Sequence, residues 1–179
     1  MPADPDWDDL TKVRASLEAL YPNAGRSGSS MGLFSLPDEM LWWTISLLRE
    51  KPVPVPEEDD SAWNRWFQVL NPHYIIPLAW YLSRNAPEEC LPPQWVRNQM
   101  KEMYRGSSIR ILQTENQIIQ TRMLLLKAGI EPVVLKGPAL GYLVYPFPSL
   151  RTGSDIDLLV RLDQVRNVIT ILQEQGYHP

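Results

Sequence analysis

The chain has 179 residues, is 44% hydrophobic and carries a formal net charge of −4, with 17 Lys and Arg against 21 Asp and Glu. That is enough apolar material for a sizeable core in one or two domains, while the acidity sets aside nonspecific nucleic-acid binding as the main activity. Cys90 is the only cysteine, which excludes an intramolecular disulfide and leaves a zinc cluster unsupported, and no apolar run reaches membrane-spanning length. The opening residues, Met1-Pro2-Ala3-Asp4-Pro5-Asp6-Trp7-Asp8-Asp9, are acidic where a secretory signal is basic and then apolar, so the cytoplasm is the expected location.

Taken in chain order, the first elements read as helices over 7–21, 37–50, 61–71, 73–85 and 93–128. They are separated by the Gly/Ser stretch 25–32, the Pro/acid linker 52–60 and the turn 86–93. The 17 prolines, about twice the usual share, gather at 52–56, 72–77, 86–93 and 146–148 and punctuate helices rather than forming a low-complexity tract. Stretch 25–32 lacks the Gly-Lys-Ser/Thr ending of a P-loop and reads as a flexible loop. Trp42, Trp43, Trp63, Trp66, Trp80 and Trp95 are best taken as packing anchors, and His73, with no spaced His, Cys or Glu partner, as a cap or core residue. In the longest helix Met100, Met103, Tyr104, Ile111, Leu112, Ile118, Ile119, Met123 and Leu126 keep a stripe at three- and four-residue steps, which predicts a core-facing side. Gly106-Ser107-Ser108 is the place where that helix would kink or divide.

Charge is uneven along the chain. Residues 1–92 hold 14 acids and 7 bases, 93–151 hold 3 acids and 8 bases, and 152–179 hold 4 acids and 2 bases. Arg97, Lys101, Arg105, Arg110, Arg122 and Lys127 could line an approach for triphosphate or another anion; the plainer reading is a solvated helix face.

The last fifty residues carry the chemistry. Here the pattern predicts strand 131–136, helix 138–145, strand 155–160 and helix 163–175, with Asp163 as N-cap and Gly176 as the residue that ends the last helix. Val133-Val134-Leu135-Lys136-Gly137 is followed, after a short apolar helix, by Arg151-Thr152-Gly153-Ser154-Asp155-Ile156-Asp157-Leu158-Leu159-Val160. On a buried strand, alternate residues share a side, so Asp155 and Asp157 would project together while Ile156 turns to the core. Carboxylates about 6–7 Å apart along a strand can share divalent cations. Ion pairs about 3.5–4 Å apart are the usual clamp on a transferring phosphoryl or nucleotidyl group. Burial of a lone charge is costly, so such acids at a strand mouth imply a partner.

The combination of Leu135-Lys136-Gly137, a short helix, Tyr145-Pro146-Phe147-Pro148, Arg151 and then Asp155-Ile156-Asp157-Leu158-Leu159-Val160 resembles the uncharacterised nucleotidyltransferase family of the DNA polymerase β-like nucleotidyltransferase superfamily, over roughly 129–177. With the helices read upstream, the expectation is an α+β protein: a helical domain, 1–128, followed by what the resemblance implies, the first half of a nucleotidyltransferase-type mixed sheet with flanking helices, 129–179. The resemblance implies Asp155 and Asp157 as catalytic, metal-holding residues for Mg²⁺ or Mn²⁺. It makes Lys136, Gly137, Arg151 and Ser154 the substrate-binding residues, with Gly137 letting phosphate approach the backbone and Arg151 a phosphate fork. The third carboxylate of the superfamily comes from a later strand, so the chain reads as the front part of a longer protein or a truncated relative. The expected partners are a nucleoside triphosphate, an acceptor hydroxyl on a small molecule, peptide or protein, and a second copy through an open sheet edge; neither membrane nor nucleic acid is expected as a main partner. The alternatives are a catalytically inactive nucleotidyltransferase-like binding or regulatory module and a helical scaffold capped by 131–179.

Overall fold

The computed structural model of the chain describes Lys12, Ala15, 36–151, Gly153 and 155–177. Most of the expected helix 7–21, the loop 25–32 and Ser154 lie outside the described residues. The fold is α+β, mostly helical with one two-stranded antiparallel sheet. Two compact units divide the chain, Met1–Lys101 and Glu102–Pro179. Among the described residues no helix is long and apolar enough to cross a membrane.

The first unit holds α1 (Asp38–Leu48), α2 (Asp60–Leu70), α3 (Ile76–Ser83) and the opening turns of α4 (Gln94–Lys127). Helix α2 starts where Asp59 turns its carboxylate back to accept from the Ala62 N–H at 2.8 Å. Trp63, Trp66, Phe67 and Leu70 then fall at i, i+3, i+4 and i+7 and are all buried. Trp63 and Trp66 meet Trp43 of α1 at ring-centroid distances of 5.4 and 5.9 Å. The Trp43–Trp63 pair, at 87° between ring planes, places a positive ring edge against a negative face. Each fully buried indole contributes about 4–6 kcal/mol of transfer free energy as an upper bound. The indole N–H groups need partners as well: Trp43 donates to the Cys90 carbonyl at 3.0 Å, and Trp66 to Thr44 Oγ1 at 2.8 Å, whose own hydroxyl donates to the Met40 carbonyl at 2.7 Å. Trp63 Nε1 is buried without one. Trp42, Trp80 and Trp95 are half-buried, and Trp95 donates to Asp60 Oδ1 at 2.8 Å. The Pro/acid linker is pinned to the 3₁₀ turn Glu88–Cys90 by the Val55 N–H on the Glu89 carbonyl. Burial, with Glu89 beside it, pushes the Cys90 thiol up. His73 ends the 3₁₀ turn Asn71–His73 and is exposed, not a core residue.

In the second unit α4 runs to Lys127 without a break at Gly106, because Ser107 is buried and its hydroxyl donates to the Ser149 carbonyl, holding that turn in place. The inward side of this stretch is Ser107, Ile111, Thr114, Ile118, Thr121 and Leu125, at alternating four- and three-residue steps, with Thr114 and Ile118 half-buried and the others buried. It keeps Ile111 and Ile118 of the expected stripe, while Leu112, Ile119, Met123 and Leu126 are exposed. The helix ends on Gly129 at φ +73, with the Gly129 N–H on Leu126 O and the Ile130 N–H on Leu125 O. Ile130 then packs against Leu125, the hydrophobic contact that accompanies this capping motif.

The chain continues through β1 (Val133–Leu135), α5 (Lys136–Leu143), the 3₁₀ turn Pro148–Leu150, β2 (Asp157–Leu159), the 3₁₀ turn Leu162–Gln164 and α6 (Val165–Glu174). Strands β1 and β2 pair antiparallel, with Val133 opposite Leu159, Val134 opposite Leu158 and Leu135 opposite Asp157. Leu158 packs on the Leu125, Ile130 and Val168 cluster. Alternation therefore turns Asp157 and Leu159 to the other, solvent-facing side, where Val133 is 54% and Leu159 55% exposed. The strand is thus not the buried one expected. It is also shorter, since Asp155 and Ile156 precede it.

Helix α6 ends as expected on Gly176 at φ +87, with the Tyr177 N–H on Leu172 O. Asp163 is not its cap: Arg161 takes both Asp163 carboxylate oxygens, at 3.1 and 2.8 Å, and the 3₁₀ turn leads into the helix with no side-chain cap. Of the apolar residues at helical spacing, Val168 is buried while Leu162 and Ile169 are exposed.

The indole hydrogen bonds set an order of stabilities. Trp66→Phe should destabilise by about 2–3 kcal/mol, from lost ring area and the orphaned Thr44 acceptor, whereas Trp63→Phe should cost about 1 kcal/mol or less because it also removes an unpaired donor. Urea unfolding of both variants checks the ordering; equal losses would contradict it. A second expectation concerns Tyr142, whose hydroxyl donates to Glu115 of α4. That bond first, then burial and the Glu115 charge, pushes the phenol up to about 12. A raised folded pKa means the stabilisation is fully present below the ordinary value of 10.0 and lost as pH rises through about 12. Ultraviolet titration should find one tyrosine ionising near that upper value, and Glu115→Gln should bring it back down.

Candidate functional site

The site is built where β1 stops. Leu135 is the last extended residue, and Lys136 takes φ +54, in the left-handed region. From there α5 begins directly, so no loop intervenes between strand and helix. Leaving the extended region also ends the ladder: with Leu135 opposite Asp157, nothing on β1 remains to pair with Ile156 or Asp155. This is why β2 starts at Asp157, and why strand alternation does not govern the Asp155 side chain.

The same register carries the Lys136 ammonium to Asp157. Its Nζ lies 3.3 Å from Asp157 Oδ1, with side-chain exposures of 74% and 39%. The partner expected for a carboxylate at a strand mouth is therefore a lysine of the neighbouring turn. Asp155, two residues earlier, is exposed and has an interaction of its own, so it is not a bare charge.

Backbone comes equally close on the other side of the turn. A Cβ built on Gly137 would stand 3.9 Å from the Gly153 Cα, and one built on Gly153 would stand 3.9 Å from the Gly137 Cα. Gly137 and Gly153 thus lie within van der Waals reach of each other, one at the start of α5 and the other two residues before Asp155 in sequence. Gly153 belongs to the site through this approach. Sequence reading noted it only as a neighbour of the Asp pair, since nothing in the sequence reports which segments come together. Behind them, Gly141 of α5 sits against Pro148, at 3.4 Å from a built Cβ to Pro148 Cα and O, which fixes the helix on the 3₁₀ turn. Arg151 follows that turn, is half-buried and is engaged in an interaction. The structure thus joins Lys136, Gly137, Gly153 and Asp157 directly, with Asp155 and Arg151 on the same connecting segment.

Apart from Arg97, which is half-buried with its Nε out of reach of solvent, the basic residues of α4 form a solvated face. Arg97 lies 3.6 Å from Glu88, Arg105 2.6 Å from Glu102 and Arg122 4.0 Å from Glu131. Exposed pairs of this kind contribute about 0–1 kcal/mol. Lys127 lines a separate cleft of about 380 Å³ with Gln120, Gln175 and Tyr177, which shares no residue with the acidic site.

A family model described as "Uncharacterised nucleotidyltransferase" matches residues 59–179, well over half of the chain. Searches of the curated proteins and of the solved structures returned no match. The match starts at Asp59, the residue that caps α2, and so takes in the tryptophan-bearing helix as well as the strand, turn and acids. By that match the chain belongs to the uncharacterised nucleotidyltransferase family.

Proposed function

We propose that the protein transfers a nucleoside monophosphate from a nucleoside triphosphate to an acceptor hydroxyl, with Asp155 and Asp157 as the metal-holding acids. The observation that supports this best is the contact between Lys136 and Asp157 beside the paired glycines, within a family of nucleotidyltransferases. It brings a cation and a carboxylate into contact beside two backbone positions that carry no side chain. In this reading β1, α5 and β2 form the first part of a nucleotidyltransferase-type mixed sheet.

The donor chemistry suits Mg²⁺ or Mn²⁺. Among the described residues no group of three or more His, Cys, Asp and Glu converges on a point. Two partly exposed carboxylates are what a hard ion needs from a protein when waters and substrate phosphates complete its shell. Bound between Asp155 and Asp157, such an ion would neutralise the triphosphate and polarise its α-phosphorus towards attack.

The chain's own groups do the rest. Gly137, lacking a side chain, lets a phosphate oxygen reach the backbone amides that open α5. Lys136 and Arg151 supply positive charge to the phosphates, Arg151 with the fork that matches two oxygens at once. Ser154, between Gly153 and Asp155 in sequence, adds a hydroxyl donor in the same reading. The acceptor oxygen then forms its bond to the α-phosphorus as the bond to the pyrophosphate oxygen breaks, the acceptor proton passing to water. Positioning and charge neutralisation account for most of the acceleration in transfers of this kind. The acceptor is a small molecule, a peptide or a protein, met by the solvent-facing side of the sheet.

Asp155→Asn and Asp157→Asn should each lower Mn²⁺-dependent triphosphate affinity at least ten-fold. Melting temperatures should stay close to that of the parent, since the lysine pair at Asp157 is exposed and weak. Isothermal titration with each of the four ribonucleoside triphosphates provides the measurement. Affinity that persists in both variants would remove the metal assignment, and tight binding without any transfer to an acceptor would favour an inactive binding module.

A further inference from the structure

Resting on the metal and triphosphate reading above, we infer that Lys136 is an exchangeable counter-ion, neutralising Asp157 until a divalent cation displaces it and then passing to the triphosphate. Three observations carry this. The ammonium contacts Asp157 Oδ1, an oxygen that the metal would need. The contact is open to solvent at both ends, so it is held by a screened attraction that a doubly charged ion outcompetes. And Lys136 occupies a left-handed backbone position, φ +54, that glycine adopts freely and lysine does not.

The third observation bears on purpose. Glu50 and Tyr74 are the other non-glycine residues at positive φ among the described residues, and neither adjoins the acids. Strain of this sort persists where a side chain is needed at that place. At Lys136 the turn holds the Cα beside the ladder's last pair, from which a flexible four-carbon stem reaches either Asp157 or an anion above the glycines. The ammonium has one place to be without ligand and another with it.

A consequence is that Lys136 couples the two ligands. Alone, a divalent cation must push the ammonium off Asp157. Arriving with a triphosphate, it releases an ammonium that gains new phosphate partners, so each ligand favours the other. Removing the lysine should therefore change the two affinities in opposite directions.

The test uses the full chain, with Mn²⁺ followed by electron paramagnetic resonance and the triphosphates by calorimetry. Lys136→Met should bind Mn²⁺ alone about two- to five-fold more tightly, the gain expected from losing one exposed ion-pair competitor. At saturating Mn²⁺ it should bind triphosphate about ten-fold more weakly. Arg122→Met, which removes the same charge from the Glu131 pair, should leave Mn²⁺ affinity unchanged. Lys136→Gly should repeat both shifts and raise the melting temperature by relieving the backbone, whereas Lys136→Met should not raise it.

Unchanged or weaker Mn²⁺ binding by Lys136→Met, with binding abolished in Asp157→Asn, would overturn the exchange and leave the metal site standing. Mn²⁺ binding that Asp157→Asn does not alter would overturn the metal reading and the exchange with it. A lowered melting temperature for Lys136→Gly would overturn the claim that lysine is held there against its backbone preference.

Discussion

The left-handed turn at Lys136 sets the geometry of the second unit. A single residue stepping out of the extended region ends the β1 ladder at Leu135, begins α5 without a loop and directs a cation towards the residue that faces Leu135 across the sheet. Had β1 stayed extended for two residues more, the ladder would have reached Asp155 and β2 would have been longer. The short sheet and the lysine–aspartate contact thus share one cause. Three-residue strands are marginal by themselves. They persist here because Leu158 is seated on Leu125, Ile130 and Val168, and Ile130 is placed by the capping motif at the end of α4.

The first unit is organised by a different force. Its interior is a set of large flat rings whose stability comes from buried area and whose orientation comes from hydrogen bonds at the indole nitrogens. Phe67 extends the set, 5.1 Å from Trp66 and 6.3 Å from Trp95. Polar groups such as Thr44 are buried because an indole needs them, not in spite of the apolar surroundings. The family match begins at Asp59 and so spans this tryptophan-bearing helix as well as the acids.

Much of this was legible from the chain. Gly176 past the end of α6 was legible locally, and the helices followed from their patterning and their Pro/Gly boundaries; Asp59 as the cap of α2 and Gly129 as the end of α4 became visible only in the structure. The acids and the Lys136-Gly137 turn were legible as a pattern, and the structure brings Lys136 and Asp157 together. What stayed hidden depends on contacts distant in sequence or on competition between near neighbours for the same atoms. Ser107 shows why: a small polar residue that reads as a possible break becomes part of the buried side because the Ser149 carbonyl lies opposite it. The buried stripe of α4 consequently falls beside the more apolar one. Asp163 reads as a cap from its neighbours, but Arg161 two residues earlier competes for the same oxygens. The approach of Gly137 to Gly153 has no local signature at all.

All seven tryptophans precede Lys101, whereas the second unit carries tyrosines and no tryptophan, at Tyr104, Tyr142, Tyr145 and Tyr177. The rings of Trp43, Trp63 and Trp66 are close enough to pass excitation among themselves, and all three are fully buried. The indoles therefore form an optical reporter of the first unit by itself. Excitation at the red edge of the indole band reads the first unit alone, while phenol absorption at shorter wavelength reports on both units, through Tyr74 and Tyr81 in the first and Tyr104, Tyr142, Tyr145 and Tyr177 in the second. The order in which the two lose structure during unfolding can be followed without attaching any label.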